Sequence, residues 1–142
     1  MPLSLQKFRE IVFHLVYSSG FGECEEEGIT DLVMQQLCVT KSAVRKARET
    51  LNKVLEKQEA IDLLVKGHSK EYDFERIPRI ERAILRLGTY EMLFSSIVPP
   101  KVAIAEAIRL ARKFATPESA TFVNAILDGI YQKGKKDLLQ EV

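Results

Sequence analysis

The C-terminal half of the chain contains the two stretches that decide the fold, PRIERAILRLGTYEM (78–92) and VPPKVAIAEAIRLARKFATPESATFVNAILDGI (98–130). Their apolar residues recur at intervals of three and four, which places side chains on one face of an α-helix. Pro99 and Pro100 separate the first helix from the second. Thr116-Pro117-Glu118 supplies an N-cap residue, a proline and an acid, a combination typical of a helix start. We therefore predict three helices in this half.

The N-terminal half shows the same spacing, with Ser4 and Thr40 placed to cap the first and third of four further helices. The predicted apolar positions are Leu5, Phe8, Val12, Leu15 and Val16; Ile29, Leu32, Val33 and Leu37; Val44, Ala47, Leu51, Val54 and Leu55; and Leu63, Leu64 and Val65. The predicted faces of the three C-terminal helices are Ile80, Ile84, Leu87 and Leu93 or Phe94; Val102, Ala105, Ile108, Ala111 and Phe114; and Phe122, Val123, Ile126, Leu127 and Ile130. Residues 68–77 have no clear period and are interpreted as a connection, and the tail KGKKDLLQEV (133–142) is expected to fray.

No stretch alternates with period two between hairpin turns, so the predicted class is all-α. We predict about seven helices in two small helical bundles, an N-terminal subdomain of about 1–67 and a C-terminal subdomain of about 78–134. The chain of 142 residues fits one domain of this kind. Its 46% hydrophobic content excludes a disordered chain, and its net charge of +1 speaks against a generic polycation.

The residues that carry catalysis or hold metals in other folds are scarce here. Cys24 and Cys38 form no CxxC pair, and the two histidines, His14 and His68, add no zinc-ligand spacing. The chain lacks the G-x-x-x-x-G-K-[ST] loop, the H-E-x-x-H helix and the G-x-S-x-G elbow. The charged first helix is no signal peptide, and no apolar run is long enough to span a membrane. We therefore expect a cytoplasmic, non-enzymatic protein without metal or cofactor.

Two features point toward nucleic acid. Residues 41–57 carry six cations against two acids, and with the preceding helix they outline a helix-turn-helix whose second helix would enter a DNA groove. Further cations are scattered over other helices, namely Lys7, Arg9, Arg79, Arg82, Lys101, Arg109, Arg112 and Lys113. An amphipathic helix with a solvated charged face is the preferred interpretation of the first feature, because the turn lacks the glycine often found in helix-turn-helix motifs. From the spacing of these residues alone, we interpret the chain as a helical binding module and do not identify its partner.

The C-terminal stretches strongly resemble the NusB transcription antitermination family. The matching residues are Glu81, Ala83, Leu85, Arg86, Tyr90 and Glu91; Pro99, Val102, Ala103, Ile104, Glu106, Ala107, Leu110, Ala111 and Phe114; and Phe122, Val123, Asn124, Leu127 and Asp128. At the N-terminus, Arg9-Glu10 followed by Leu15 and Tyr17 resembles the first helix of that family. Residues 23–75 match only in length and helical character.

This resemblance implies two joined helical bundles that bind the boxA segment of nascent RNA together with NusE, a ribosomal protein. The complex belongs to an RNA polymerase assembly that resists termination, and no cofactor or catalysis is involved. The implied RNA-binding residues are Lys7, Arg9, Glu118, Phe122 and Asn124. The implied NusE-binding residues are Tyr17 and Glu81, and Arg86, Tyr90, Glu91 and Glu106 are interpreted as a structural polar network. Phe122 has the spacing of a core residue as well.

The chain departs from the family pattern at three places. Pro2-Leu3-Ser4-Leu5-Gln6 stands where the family is often rich in arginine, so RNA affinity and its salt dependence should be lower. Ala105 replaces an asparagine and Ala125 replaces a glycine of the family pattern. Alternative functions are a helix-turn-helix DNA regulator and an accessory RNA-binding module of an rRNA-modifying system. Self-association into a homodimer stays open.

Overall fold

The computed structural model describes residues 3–20, 25–69 and 73–141. These contain seven α-helices and one 3-10 helix and no strand, which confirms the predicted fold class. The α-helices are α1 (Leu5–Ser19), α2 (Glu26–Leu37), α3 (Lys41–Glu56), α4 (Gln58–His68), α5 (Arg79–Leu93), α6 (Pro100–Phe114) and α7 (Pro117–Glu141), and the 3-10 helix is Phe74–Arg76. The chain forms two compact units, Met1–Lys57 and Gln58–Val142.

In the first unit, α1 packs against both α2 and α3, and α2 packs against α3. Ser4 Oγ accepts a hydrogen bond from the Lys7 backbone N–H at 3.0 Å, and Thr40 Oγ1 accepts one from Ala43 N–H at 3.1 Å. Both predicted N-caps are therefore formed. Most of the predicted apolar positions are buried, among them Val12, Leu15, Val16, Val33, Leu37, Val44, Ala47, Leu51 and Val54.

In the second unit, α5, α6 and α7 pack against one another, and α4 packs on α5 and α7. The helices approach closely at Gly88, where an added methyl group would lie 3.0 Å from Leu127 Cδ1 and 3.3 Å from Ala107 Cβ. The start predicted at Thr116-Pro117-Glu118 is confirmed, because Thr116 Oγ1 accepts a hydrogen bond from Ser119 N–H at 3.0 Å. Small residues at this crossing allow the three helices to share one core.

Two boundaries differ from the prediction. The fourth helix is longer than its apolar residues 63–65 indicate, and it belongs to the second unit rather than to an N-terminal subdomain ending near 67. Ile61 and Val65 of this helix are buried, and the helix contacts α5 and α7. The tail predicted to fray continues α7 to Glu141. Glutamine, lysine and leucine are good helix formers, so helical propensity extends past the last buried residues.

The buried face of α6 also differs from the predicted one. Val102 is 46% exposed and Ala105 is exposed, whereas Ala103, Ala107 and Leu110 are buried. The stretch VAIAEAI is apolar on two sides, so periodicity alone does not decide which side faces the core. Some predicted core leucines are likewise exposed, most of all Leu5 at 79% and Leu63 at 65%.

Candidate functional site

A groove of about 370 Å³ on the second unit contains three of the residues implied in binding, Glu81, Glu118 and Phe122. The remaining lining residues are Arg76, Ile77, Pro78, Thr116 and Ser119. The sequence resemblance assigns Glu81 to NusE and the other two to RNA. The structure places all three in one groove, so a ligand that fills it would contact both sets of side chains.

A chain of hydrogen bonds at the start of α7 holds this groove in shape. The Thr116 hydroxyl donates to Ser119 Oγ at 3.0 Å, and the Ser119 hydroxyl donates to Glu81 Oε1 at 2.5 Å. Because Ser119 is buried, this bond ties the carboxylate of α5 to the first turn of α7. One oxygen of Glu81 is thus engaged inside the protein while the side chain still lines the groove.

The groove offers an aromatic surface rather than a strong positive field. Phe122 is half-buried, and its neighbour Val123 is fully buried, so α7 faces the core through Val123 and the groove through Phe122. Arg76 is the one cation among the lining residues, against the two acids Glu81 and Glu118. Such a surface suits an unpaired base or a partner side chain better than a phosphate. Asn124 is exposed and does not line this groove.

The first unit carries the other implied residues on α1. Lys7 is half-buried, and Arg9 is buried at 9% exposure beside Glu10 at 3%. Residues two apart point to different sides of a helix, so Lys7 and Arg9 do not form one cationic surface. Tyr17 is half-buried, and its ring stacks on Phe13 with the centroids 6.3 Å apart.

The polar residues predicted to brace the helices lie in different pairs. Arg86 forms a bidentate pair with Asp62, at 2.9 and 3.0 Å, which joins α5 to α4. Glu106 is buried and pairs with Arg109 of the same helix at 2.9 Å. The sequence does not predict Asp62 as the partner of Arg86, because it lies 24 residues away and belongs to no recognisable motif.

The basic helix α3 faces acids of its own unit. A groove of about 370 Å³ is lined by Glu26, Glu27, Thr30 and Asp31 of α2 and by Lys41, Arg45 and Arg48 of α3. Arg48 pairs with Glu26 at 3.1 Å and donates to Thr30 Oγ1 at 2.9 Å. These acids lower the attraction of this edge for nucleic-acid phosphate. The arrangement therefore disfavours α3 as a DNA recognition helix.

Metal and membrane features are absent from the part of the chain that the structure describes. Residues 3–20, 25–69 and 73–136, whose side chains the structure describes, contain no group of three or more His, Cys, Asp or Glu side chains that could hold a metal ion. None of the described helices is long and apolar enough to cross a membrane. Cys38 is a free, exposed thiol. Cys24 lies outside the described residues.

The fold and the grooves define an all-helical binding protein built from two small bundles. The sequence model of the NusB family matches residues 6–132. The chain belongs to the NusB family.

Relatives of known name support this assignment over most of the chain. Transcription antitermination protein NusB of Geobacter sulfurreducens is 37% identical over 123 residues, which are 86% of this chain and 89% of the relative. A crystal structure of T. maritima NusB has a TM-score of 0.76 at 30% identity and covers 93% of each chain. A chain in the crystal structure of antitermination factors NusB and NusE in complex with double-stranded RNA has the same fold. Its TM-score is 0.75 at 23% identity, over 90% of this chain and 96% of that chain.

Proposed function

We propose that this chain is an RNA-binding transcription antitermination factor. It binds boxA-type single-stranded RNA together with NusE and helps RNA polymerase to read through terminators in ribosomal RNA operons. The observation that carries this proposal is membership of the NusB family over residues 6–132, with relatives named transcription antitermination proteins. The protein acts in the cytoplasm, without catalysis and without a cofactor.

The geometry supports a joint RNA and protein interface. The groove that holds Phe122 also holds Glu81, which the resemblance assigns to NusE. A structural neighbour of the same fold was crystallised with NusE and double-stranded RNA. An aromatic side chain beside acids fits a composite site, in which a base stacks on Phe122 and a cationic partner side chain meets Glu81.

Read-through of a terminator tests the proposed function. Transcription reactions would contain RNA polymerase, NusE and the other antitermination factors, on templates with a boxA sequence or a scrambled one upstream of a terminator. We expect the chain to increase the fraction of full-length transcript on the boxA template only. Equal read-through with and without the chain, on both templates, would contradict the proposal.

Single substitutions test which residues of the proposed site bind RNA and which bind NusE. We expect Lys7→Ala to weaken RNA binding and Glu81→Ala or Tyr17→Ala to weaken mainly NusE binding. Arg9→Ala is expected to weaken RNA binding too. Because Arg9 is buried, the stability of this variant is measured in parallel by thermal unfolding. Lys135→Ala on α7 is the control for loss of a lysine charge outside the implied binding residues.

The binding data are read separately for RNA and for NusE. If Lys7→Ala reduced NusE affinity while Glu81→Ala reduced RNA affinity, the assignment of the two surfaces would be wrong even with the family assignment intact.

A further inference from the structure

A buried serine holds the carboxylate of Glu81 in the groove of the second unit. Glu81 lies in the first turn of α5 and is half-buried, whereas Ser119 lies in the first turn of α7 and is only 6% exposed. The Ser119 hydroxyl donates to Glu81 Oε1 at 2.5 Å, a length typical of a hydroxyl that donates to a charged acceptor. The bond joins residues that are 38 positions apart in the sequence and that only the packing of α5 on α7 brings together.

The chemistry of the three groups fixes the direction of these hydrogen bonds. A carboxylate only accepts, so the Ser119 hydroxyl uses its one hydrogen for Glu81. The Ser119 oxygen then accepts from the Thr116 hydroxyl at 3.0 Å, and Thr116 Oγ1 accepts from the Ser119 backbone N–H at 3.0 Å. The start of α7 therefore orients the Ser119 hydroxyl so that its hydrogen points at α5.

The bond to Ser119 leaves Glu81 able to receive a ligand. A carboxylate has about four acceptor positions on its two oxygens, and the serine hydroxyl occupies one of them. The Glu81 side chain lines the groove together with Thr116, Glu118 and Phe122. A glutamate that is free to rotate loses rotamer freedom when a partner binds it, and fixing the side chain beforehand lowers that entropy cost.

We propose that Ser119 is a positioning residue for NusE binding, and that it holds the Glu81 carboxylate in the orientation that a cationic side chain of NusE requires. Ser119 acts through Glu81, because Ser119 is buried and its hydroxyl hydrogen is used inside the protein. Thr116 supports this role by orienting the serine hydroxyl. The inference rests on the proposed function, in which Glu81 binds NusE.

A double-mutant cycle on NusE affinity tests this proposal. The affinity of the full chain for NusE is measured by calorimetric titration without RNA, for wild type, Ser119→Ala, Glu81→Ala and the double variant. We expect Ser119→Ala to weaken NusE binding by about threefold to tenfold, because NusE must then order a freely rotating Glu81 side chain. In the Glu81→Ala background the same substitution should have no further effect. NusE is titrated to concentrations that half-saturate Glu81→Ala, so that every affinity of the cycle is measured.

A control variant and a spectroscopic measurement separate positioning from a general effect on the start of α7. Thr121→Ala removes an exposed hydroxyl that donates to Pro117 O at 3.3 Å and does not line the groove, so it should keep the wild-type affinity for NusE. In the free chain, the NMR signal of the Glu81 carboxyl carbon should shift in Ser119→Ala and stay in place in Thr121→Ala. Thermal unfolding confirms that each variant is folded.

Three results would count against the inference. Equal NusE affinity of wild type and folded Ser119→Ala would overturn it and leave the proposed function intact. A loss of the same size in the Glu81→Ala background would also overturn it, because Ser119 would then act on NusE independently of Glu81. If the wild-type chain bound no NusE, with or without RNA, the proposed function and this inference would both fail.

Discussion

Cys38 adopts a backbone conformation that most residues avoid. It ends α2 with φ 55° and ψ 50°, in the left-handed region, and the backbone N–H groups of Cys38 and Val39 satisfy Met34 O. This helix end usually carries glycine, because a Cβ atom in the left-handed region costs about 1 kcal/mol. The cysteine thiol is exposed and forms no disulfide, and its weak hydrogen bond to Gln35 O, at 3.9 Å, offsets little of this cost.

Replacing Cys38 with glycine should therefore stabilise the protein. We expect Cys38→Gly to raise the free energy of unfolding by about 0.5–1 kcal/mol, measured by urea denaturation. Cys38→Ala is the matched control, because it removes the thiol and keeps the Cβ atom, and it should leave stability near the wild-type value. An equal gain in both variants would point to the thiol rather than the backbone.

The pair of Asp62 and Arg86 is a side-chain contact that no local pattern in the sequence predicts. Arg86 belongs to the motif on α5 and is recognisable from it. Its partner Asp62 lies on α4, where no local sequence feature distinguishes it from an exposed aspartate. Only the packing of α4 on α5 brings the two side chains together. In general, local sequence patterns do not identify a polar partner that only the packing of two helices brings into contact.

A double-mutant cycle should show strong coupling for this pair. The Arg86 and Asp62 side chains are only 14% and 18% exposed. We therefore expect Asp62→Ala and Arg86→Ala to have a coupling energy of about 1–3 kcal/mol in the free energy of unfolding. Asp73 and Arg76, at 4.0 Å and nearly 80% exposed, form the matched control and should couple by less than about 0.5 kcal/mol. Similar values for the two cycles would refute a stabilising role of the inner pair.

At the scale of the helices, the sequence predicts where a helix begins better than which of its faces is buried. The caps at Ser4, Thr40 and Thr116 are local, because a side chain bonds the backbone three residues ahead, and all three are formed. The start of α4 lies earlier than its predicted apolar residues indicate, because Lys57 separates it from α3 without glycine or proline. The face of α6 was misjudged because an alanine-rich helix is apolar on more than one side. Grouping Glu81 with Phe122 needs the packing of α5 on α7, which no local pattern contains.

The close approach of α5, α6 and α7 predicts an unusual effect at Gly88. Glycine to alanine inside a helix normally stabilises by about 1 kcal/mol. At Gly88 the new methyl group would lie 3.0 Å from a methyl group of Leu127, which is fully buried and has little room to move. We expect Gly88→Ala to lower the free energy of unfolding by about 1–2 kcal/mol, because overpacking outweighs helix propensity.

Gly134→Ala is the control for this substitution. It lies inside α7, and an added methyl group would meet no other atom within 4 Å among the described residues. Its stability in urea denaturation should equal or exceed that of wild type. Stabilisation by Gly88→Ala would show that the three helices have room to separate.

At the scale of the whole molecule, the net charge of +1 is the sum of unlike parts. The exposed acids Glu25, Glu26 and Glu27 stand at the start of α2, against the basic α3. The N-terminus carries leucines where the family often has arginines, and Arg9 is buried. Few exposed cations remain on α1 to hold RNA. We therefore expect the chain to depend on NusE for RNA affinity.

The most direct test of the account is a titration of the chain with boxA-type RNA across salt concentrations, with and without NusE, and with the mass of the complexes measured in parallel. We predict weak binding by the chain alone and binding at least tenfold tighter with NusE, in a complex whose mass equals one copy each of chain, NusE and RNA. A scrambled RNA should show a smaller gain, and a DNA duplex none. Absence of RNA binding at low salt, both with and without NusE, would contradict the account.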